Sequence, residues 1–356
     1  MAKGKKYLSR VVKIGKLKLG GDNPVRVQSM CNTDTRNVKA TVQQILAMEK
    51  EGCEIVRVAV LDMAAAKAIG QIKKKIHIPL VADIHFDYKL ALEVIQQGVD
   101  KVRVNPGNIG SEEKVRSVVA ACKKKKIPIR IGINAGSLEQ DLLNKYGATP
   151  QAAVESALRH VRILEKLNFK DILISIKFSD VSRMIAAYRL LAKKVDYPLH
   201  LGVTEAGTAF MGSIKSAIGI GVLLEEGIGA TMRVSLTADP LEEIPVCWAI
   251  LRSLDLRRRG PEMISCPTCG RTQIDLIGLA GCVEKELKKI KQPIKVAVMG
   301  CVVNGPGEAR EADIGVAGGK GMGAIFVKGQ VVRSVKEDQI LPELMKEIKK
   351  ITRKAK

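Results

Sequence analysis

Between residues 25 and 237 the chain repeats one unit eight times: a short apolar, β-branched run, a polar or charged residue at its end, then a stretch with helical apolar spacing. The runs fall at residues 25–30, 54–60, 80–85, 101–106, 127–135, 171–179, 199–207 and 230–237. Residues 38–51 and 150–167 show the helical spacing most clearly. Strands separated by helices pair in parallel, with the helices packed outside the sheet. Eight such units in roughly 230 residues match a (β/α)8 barrel, a fold of about 250 residues.

A barrel of this kind carries its chemistry at the C-terminal ends of its strands. Those ends read Gln28 and Ser29, Arg57, Asp83 and His85, Arg103 and Asn105, Arg130 and Asn134, Lys177, Thr204 and Glu205, Arg233 and Ser235. Four arginines and a lysine therefore converge on one mouth, and forked guanidiniums suit phosphate oxygens. The implied ligand carries more than one phosphate; the competing reading pairs individual arginines with Asp or Glu on neighbouring loops. Asp83 and His85, two apart, face the same side of an extended strand, which suits metal binding, acid/base work or a structural role. His77, His160 and His200 read as structural. Gly136 and Ser137 open the longest gap between strands, and could present N–H groups to a phosphate or begin a lid over residues 141–149.

With 356 residues the chain exceeds what one core usually serves, and a charged linker at 255–261 divides it into an expected barrel domain, 1–256, and a smaller α/β domain, 257–356. The second domain reads as a cysteine-bearing loop, a helix over 273–291, a strand at 294–299, a Gly-rich turn, a strand at 313–316, a hairpin at 324–332 and a helix from 342 to about 354. The alternating N-terminal stretch up to Gly20-Gly21 reads as a hairpin, neither a signal nor a transit sequence. No apolar run is long enough for a membrane span, and a cytoplasmic location is expected. A net charge of +22 would suit nucleic acid, but with only 3% aromatic residues few stacking platforms exist. The lysine runs sit at helix ends, where cations suit the dipole; they also make a field that attracts anionic substrates or acidic redox partners.

Cys266-Pro-Thr-Cys269 and Gly300-Cys301 lie in Gly/Pro-rich turns, and thiols so placed in a reducing compartment usually hold a metal. Zinc and iron–sulfur both fit the first pair. A continuous helix from near Thr272 would carry Cys282 about 15 Å from its start, too far to join them. Cys31, Cys53, Cys122 and Cys247 read as small core residues. Glu308 is the nearest remaining anion. Three thiolates and a carboxylate make a poor closed zinc site, but would leave one iron of a 4Fe–4S cluster weakly held and exchangeable. A zinc-ribbon nucleic-acid binder and an electron carrier without its own substrate are the rival classes.

The segments Val27-Gln28-Ser29-Met30, Val81-Ala82-Asp83-Ile84-His85, Arg103-Val104-Asn105-Pro106-Gly107-Asn108, Gly136-Ser137-Leu138-Glu139, Gly202-Val203-Thr204-Glu205-Ala206-Gly207, Cys266-Pro267-Thr268-Cys269-Gly270-Arg271 and Gly300-Cys301-Val302-Val303-Asn304-Gly305-Pro306-Gly307-Glu308 resemble the 4-hydroxy-3-methylbut-2-enyl diphosphate synthase family, in order, from about residue 9 to about 350. Cys31 stands where that family usually has threonine. The length resembles the bacterial two-domain form. The resemblance implies reductive opening of 2-C-methyl-D-erythritol 2,4-cyclodiphosphate, with loss of a hydroxyl as water, in the methylerythritol phosphate route to isoprenoids. It further implies Cys266, Cys269, Cys301 and Glu308 as ligands of a 4Fe–4S cluster, Glu308 being displaced when substrate binds. Arg57, Arg103, Arg130, Lys177, Asn134, Arg233 and Ser235 would hold the diphosphate, with Asp83 and His85 beside it and Glu205 as acid/base group. A homodimer, in which one subunit's barrel is closed by its partner's cluster domain, and reduced flavodoxin or ferredoxin as donor complete what the resemblance implies.

Overall fold

A computed structural model describes residues 7–301, 303 and 311–354. The chain divides into two compact units, Met1–Arg257 and Arg258–Lys356. Arg257 belongs to the first because its guanidinium donates to the Val25 carbonyl at 2.7 Å and to Glu54 at 2.6 Å, and lies 4.7 Å over the Trp248 ring.

In the first unit a short hairpin, β1 (Val12–Ile14) and β2 (Leu17–Leu19), precedes eight parallel strands. These are β3 (Arg26–Met30), β4 (Ile55–Ala59), β5 (Leu80–Asp83), β6 (Lys101–Arg103), β7 (Ile129–Asn134), β8 (Ile172–Lys177), β9 (His200–Leu201) and β10 (Thr231–Met232). They run in the order β8-β7-β6-β5-β4-β3-β10-β9, and a parallel bridge from Ile174 to Leu199 joins the two ends. All eight expected strands are present in a (β/α)8 barrel, each shorter than its apolar run.

The helices between strands start where the sequence offers an acceptor. Asn37, Asp62, Thr149 and Asp180 each accept a backbone N–H of the first turn of the following helix, which satisfies a donor that has no partner within the helix. Val38–Glu51 and Pro150–Lys166 lie where their spacing places them. The stretch 141–149 holds a short helix, Gln140–Tyr146, of which Leu142 is buried.

The hairpin has a role not visible in its sequence. Val12, Ile14 and Leu19 pack with Ile55, Val81, Leu173 and Ala230, residues near the N-terminal ends of β4, β5, β8 and β10, so the hairpin plugs the floor of the barrel. Each plug side chain contributes about 1.5–3 kcal/mol by leaving water.

In the second unit five strands form one sheet in sequence order: β11 (Glu262–Ser265), β12 (Lys295–Met299), β13 (Ile314–Gly319), β14 (Met322–Val327) and β15 (Gln330–Lys336). The first three are parallel and the last two antiparallel. Val296 and Val298 face a core shared with the helices Leu276–Leu287 and Ile340–Lys354, while Ala297 and Met299 face Phe326 on the other side. Two expectations change here. β11 replaces what reads as loop, because its side chains are only half-buried and give no apolar signal. The helix expected over 273–291 begins at Leu276, capped by Asp275, whose carboxylate accepts from Gly278 N–H. Among the described residues no helix is long and apolar enough to cross a membrane.

Candidate functional site

Barrel interiors are usually filled by Val, Ile and Leu; above its apolar floor of Ile55, Val81, Leu173 and Ala230, this one is filled by charge. Parallel register sets Asp83 beside Arg103 and Arg103 beside Arg130, and sets Asn134 beside Lys177. Because successive side chains alternate, Arg130, Gly132 and Asn134 share one face of β7. The result is a nest of cations inside the barrel: Arg103 and Lys177 end β6 and β8 and Arg233 follows β10, whereas Arg57 sits midway along β4 and Arg130 is the second residue of β7, deeper than the strand end expected for both.

Their partners differ. Asp83 is buried, accepts from Arg103 Nη1 at 3.0 Å and lies 3.6 Å from Arg57 Nε. Burial pushes its carboxyl up, but Arg57, Arg103, Arg130 and His85 more than reverse this and hold it well below the usual carboxylate range. Arg103 also donates from Nη2 to the Gly132 carbonyl at 2.7 Å, and Asn105 grips the same residue by accepting from Gly132 N–H at 2.8 Å. Arg233 is held by Glu243, at 3.0 and 3.2 Å. The pairing alternative thus applies to Arg57, Arg103 and Arg233. It does not apply to Arg130: its side chain is fully buried, and Nε, Nη1 and Nη2 all have no hydrogen-bond partner among the described residues.

Burial is the main force on these groups. It pulls the Arg57 guanidinium down to about 10, Asp83 opposing and Arg233 and Arg103 assisting. Burial, then Arg57, Arg130 and Arg233, pulls Lys177 well below the ordinary lysine value. A cluster of cations disfavoured by its own surroundings in this way will gain strongly from a multivalent anion.

The remaining expected residues lie around this nest. β5 ends at Asp83, so His85 stands beyond the strand and strand alternation does not explain its side; its side chain is half-exposed, with Nε2 3.2 Å from Arg103 Nη1 and 3.8 Å from Asp83. Asn134 and Ser235 are half-buried. Glu205 is exposed in the turn after β9, with φ +52°, a left-handed conformation that few non-glycine residues hold.

Two participants are absent from the strand-end reading. Glu243, buried on the helix Pro240–Ser253, also accepts from Ser29 Oγ at 2.8 Å; its signal is a carboxylate on the same stripe as Ile244, Cys247, Trp248 and Leu251. Lys101, fully buried, donates to Gln28 Oε1 at 3.3 Å; its signal is the i, i+2 spacing from Arg103.

Gly132 is required by close packing. A Cβ there would meet Arg103 Nε at 2.5 Å. Gly132→Ala is expected to displace the Arg103 fork from Asp83 and to cost about 1–3 kcal/mol of stability, measured by denaturant unfolding.

In the second unit the Cys266 and Cys301 loops leave neighbouring parallel strands at the same edge. Gly300 N–H donates to Cys266 Sγ at 3.2 Å, Gln273 N–H donates to the Gly300 carbonyl at 3.0 Å, and Thr272 Oγ1 accepts from Cys269 N–H at 3.2 Å. Cys301 is buried and Cys269 exposed, and none of the cysteines is in a disulfide. Glu308 and the turn at 304–307 lie outside the described residues, and among those described no three His, Cys, Asp or Glu side chains are gathered to hold a metal. The donor set itself fits an iron–sulfur cluster: unoxidised thiols on adjoining loops, one already accepting a backbone N–H as cluster sulfurs do. Cys282 is exposed on the helix, six residues and about 9 Å past Leu276, a shorter distance than a start at Thr272 would give. Cys31, Cys53, Cys122 and Cys247 are buried, and burial pushes each thiol up to about 12.

Residues 9–248 match the model of the GcpE TIM-barrel domain, and residues 262–350 that of the GcpE protein C-terminal domain. A protein of Caldanaerobacter subterraneus subsp. tengcongensis, named 4-hydroxy-3-methylbut-2-en-1-yl diphosphate synthase (flavodoxin), is 62% identical over 97% of this chain and 98% of its own. Proteins of the same name from Clostridium perfringens and Geobacter sulfurreducens are 62% and 59% identical, over 96% and 97% of this chain and 99% and 98% of theirs. Among solved structures, a dihydropteroate synthase from Stenotrophomonas maltophilia superposes with a TM-score of 0.50 at 12% identity, covering 69% of this chain and 98% of that one. That likeness is one of barrel fold.

Proposed function

The chain belongs to the GcpE family of 4-hydroxy-3-methylbut-2-en-1-yl diphosphate synthases, and from that membership we infer that it reductively opens 2-C-methyl-D-erythritol 2,4-cyclodiphosphate in isoprenoid synthesis. Two electrons enter, the ring C–O bond breaks, and a hydroxyl leaves as water. Reduced flavodoxin is the donor, the partner that the relatives' names carry. The working form is a homodimer.

The observation that best supports the substrate site is Arg130: a fully buried guanidinium, set among further cations, whose three nitrogens have no hydrogen-bond partner among the described residues. Arg130 and Lys177 take the diphosphate oxygens directly, and Asn134 and Ser235 donate neutral hydrogen bonds. Arg57, Arg103 and Arg233, already oriented by Asp83 and Glu243, neutralise the charge that grows as the diphosphate becomes a leaving group. Asp83 fixes two of these forks and His85 stands at the rim. Glu205 delivers the proton to the departing hydroxyl.

A 4Fe–4S cluster held by Cys266, Cys269, Cys301 and Glu308 would supply the electrons singly. Glu308, a carboxylate among thiolates, would be its exchangeable ligand. The test is anaerobic reconstitution with iron and sulfide: about four of each per chain, brown colour, and product formed from the cyclodiphosphate with reduced flavodoxin. Colourless material that forms no product would overturn the reading.

Glu205→Gln keeps the backbone and shape but removes the proton. Substrate affinity is expected to hold while kcat falls about 100-fold or more; unaltered turnover would remove Glu205 from the reaction.

A further inference from the structure

His160 lies on the helix Pro150–Lys166, outside the strand ends, and is buried at 4% exposure. Its imidazole stands between two loops that flank the cation nest. Nδ1 accepts the Gly107 N–H at 3.0 Å, in the loop after β6, and Nε2 lies 3.7 Å from Glu139 Oε1, in the loop after β7. The fit at Gly107 is tight, since a Cβ there would meet His160 Cε1 at 2.7 Å. Glu139 Oε2 is buried without a hydrogen-bond partner among the described residues. Gly107 comes two residues after Asn105, which grips Gly132; Glu139 comes five after Asn134.

An Nδ1 that accepts an N–H cannot itself carry a proton, so the neutral ring holds its proton on Nε2, toward the Glu139 carboxylate. We propose that His160 is a positioning residue for the diphosphate pocket, its Nδ1 fixing the Gly107 loop and its Nε2–H facing Glu139, so that Asn105 and Asn134 are held at their strand ends. The proposal rests on the reading of the barrel mouth as that pocket. Protonation of Nδ1 sets donor against donor at Gly107 and breaks the clamp. Burial holds the imidazole below its usual value, Glu139 opposing and Arg159, itself paired with Asp141, assisting; neutral solution therefore keeps the clamp closed and acid opens it.

Asparagine can place Oδ1 near the position of Nδ1, whereas leucine offers no acceptor. His160→Leu is expected to raise KM for the cyclodiphosphate about tenfold, to weaken inorganic pyrophosphate similarly in calorimetric titration, and to leave kcat within about threefold. His160→Asn should recover most of that loss, and should flatten the rise in KM expected of the unaltered protein as pH falls. Equal impairment in both variants, or a lower melting temperature in His160→Leu with KM unchanged, overturns the proposal. Should His160→Leu fail to fold, an acid limb that persists in His160→Asn overturns it alone. Arg130→Met run in parallel separates the premises: if it leaves pyrophosphate affinity intact the pocket reading fails, whereas if it alone weakens binding the failure belongs to His160.

Discussion

Cys301→Ser loses the cluster and with it all measurable turnover, while Cys282→Ser keeps both: this is the largest effect expected of any single change in the chain. Cys301 is buried, directly follows the glycine whose N–H reaches Cys266 Sγ, and begins the segment that runs to Glu308. A serine hydroxyl stays protonated at neutral pH and is a far poorer ligand for iron than a thiolate. Cys282 is exposed on a helix face, and its replacement disturbs no packed contact. Iron and sulfide analysis of the two variants, reconstituted side by side, decides the ligand set: equal iron loss in both would refute it.

Arg130→Met should produce two effects of opposite sign. In the absence of ligand the guanidinium is a desolvated charge with no hydrogen-bond partner among the described residues, and burial holds its pKa well below the ordinary arginine value, with Arg57 and Arg103 adding to the depression and Asp83 opposing it. Methionine of similar length removes that cost, so the unliganded protein should gain about 1–4 kcal/mol and melt some degrees higher. The diphosphate, however, loses a buried charged partner worth about 2–5 kcal/mol, a weakening of roughly 30-fold or more. Thermal unfolding with and without pyrophosphate reads both: the anion should raise the melting temperature of the unaltered protein and leave that of Arg130→Met nearly fixed. A variant that is both less stable and equally responsive would mean that the guanidinium faces packing rather than ligand.

The second unit shows where sequence patterning stops. Thiol spacing and Gly/Pro turns mark the cysteine loops, but β11 carries no apolar alternation and is fixed only by pairing with β12. The following helix starts at Leu276 because Asp275 accepts from Gly278 N–H, a cap that in the sequence competes with Thr272. In the barrel, His160 reads as an ordinary helix residue. Its contacts reach two loops earlier in the chain, at Gly107, 53 residues before it, and at Glu139, and local spacing cannot record them.

What the chain order alone determined is the (β/α)8 repeat, the second unit, and which strands carry the cations, because these follow from periodicities of two and about 3.6 residues acting within single elements. Only the tertiary structure decided which arginines are neutralised: Glu243 reaches Arg233 from a helix, Asp83 serves both Arg57 and Arg103, and Arg130 has no hydrogen-bond partner among the described residues. The physical reason is that the worth of a buried charge depends on every group within a few ångströms of it, and barrel closure chooses those neighbours from strands and helices far apart in the chain.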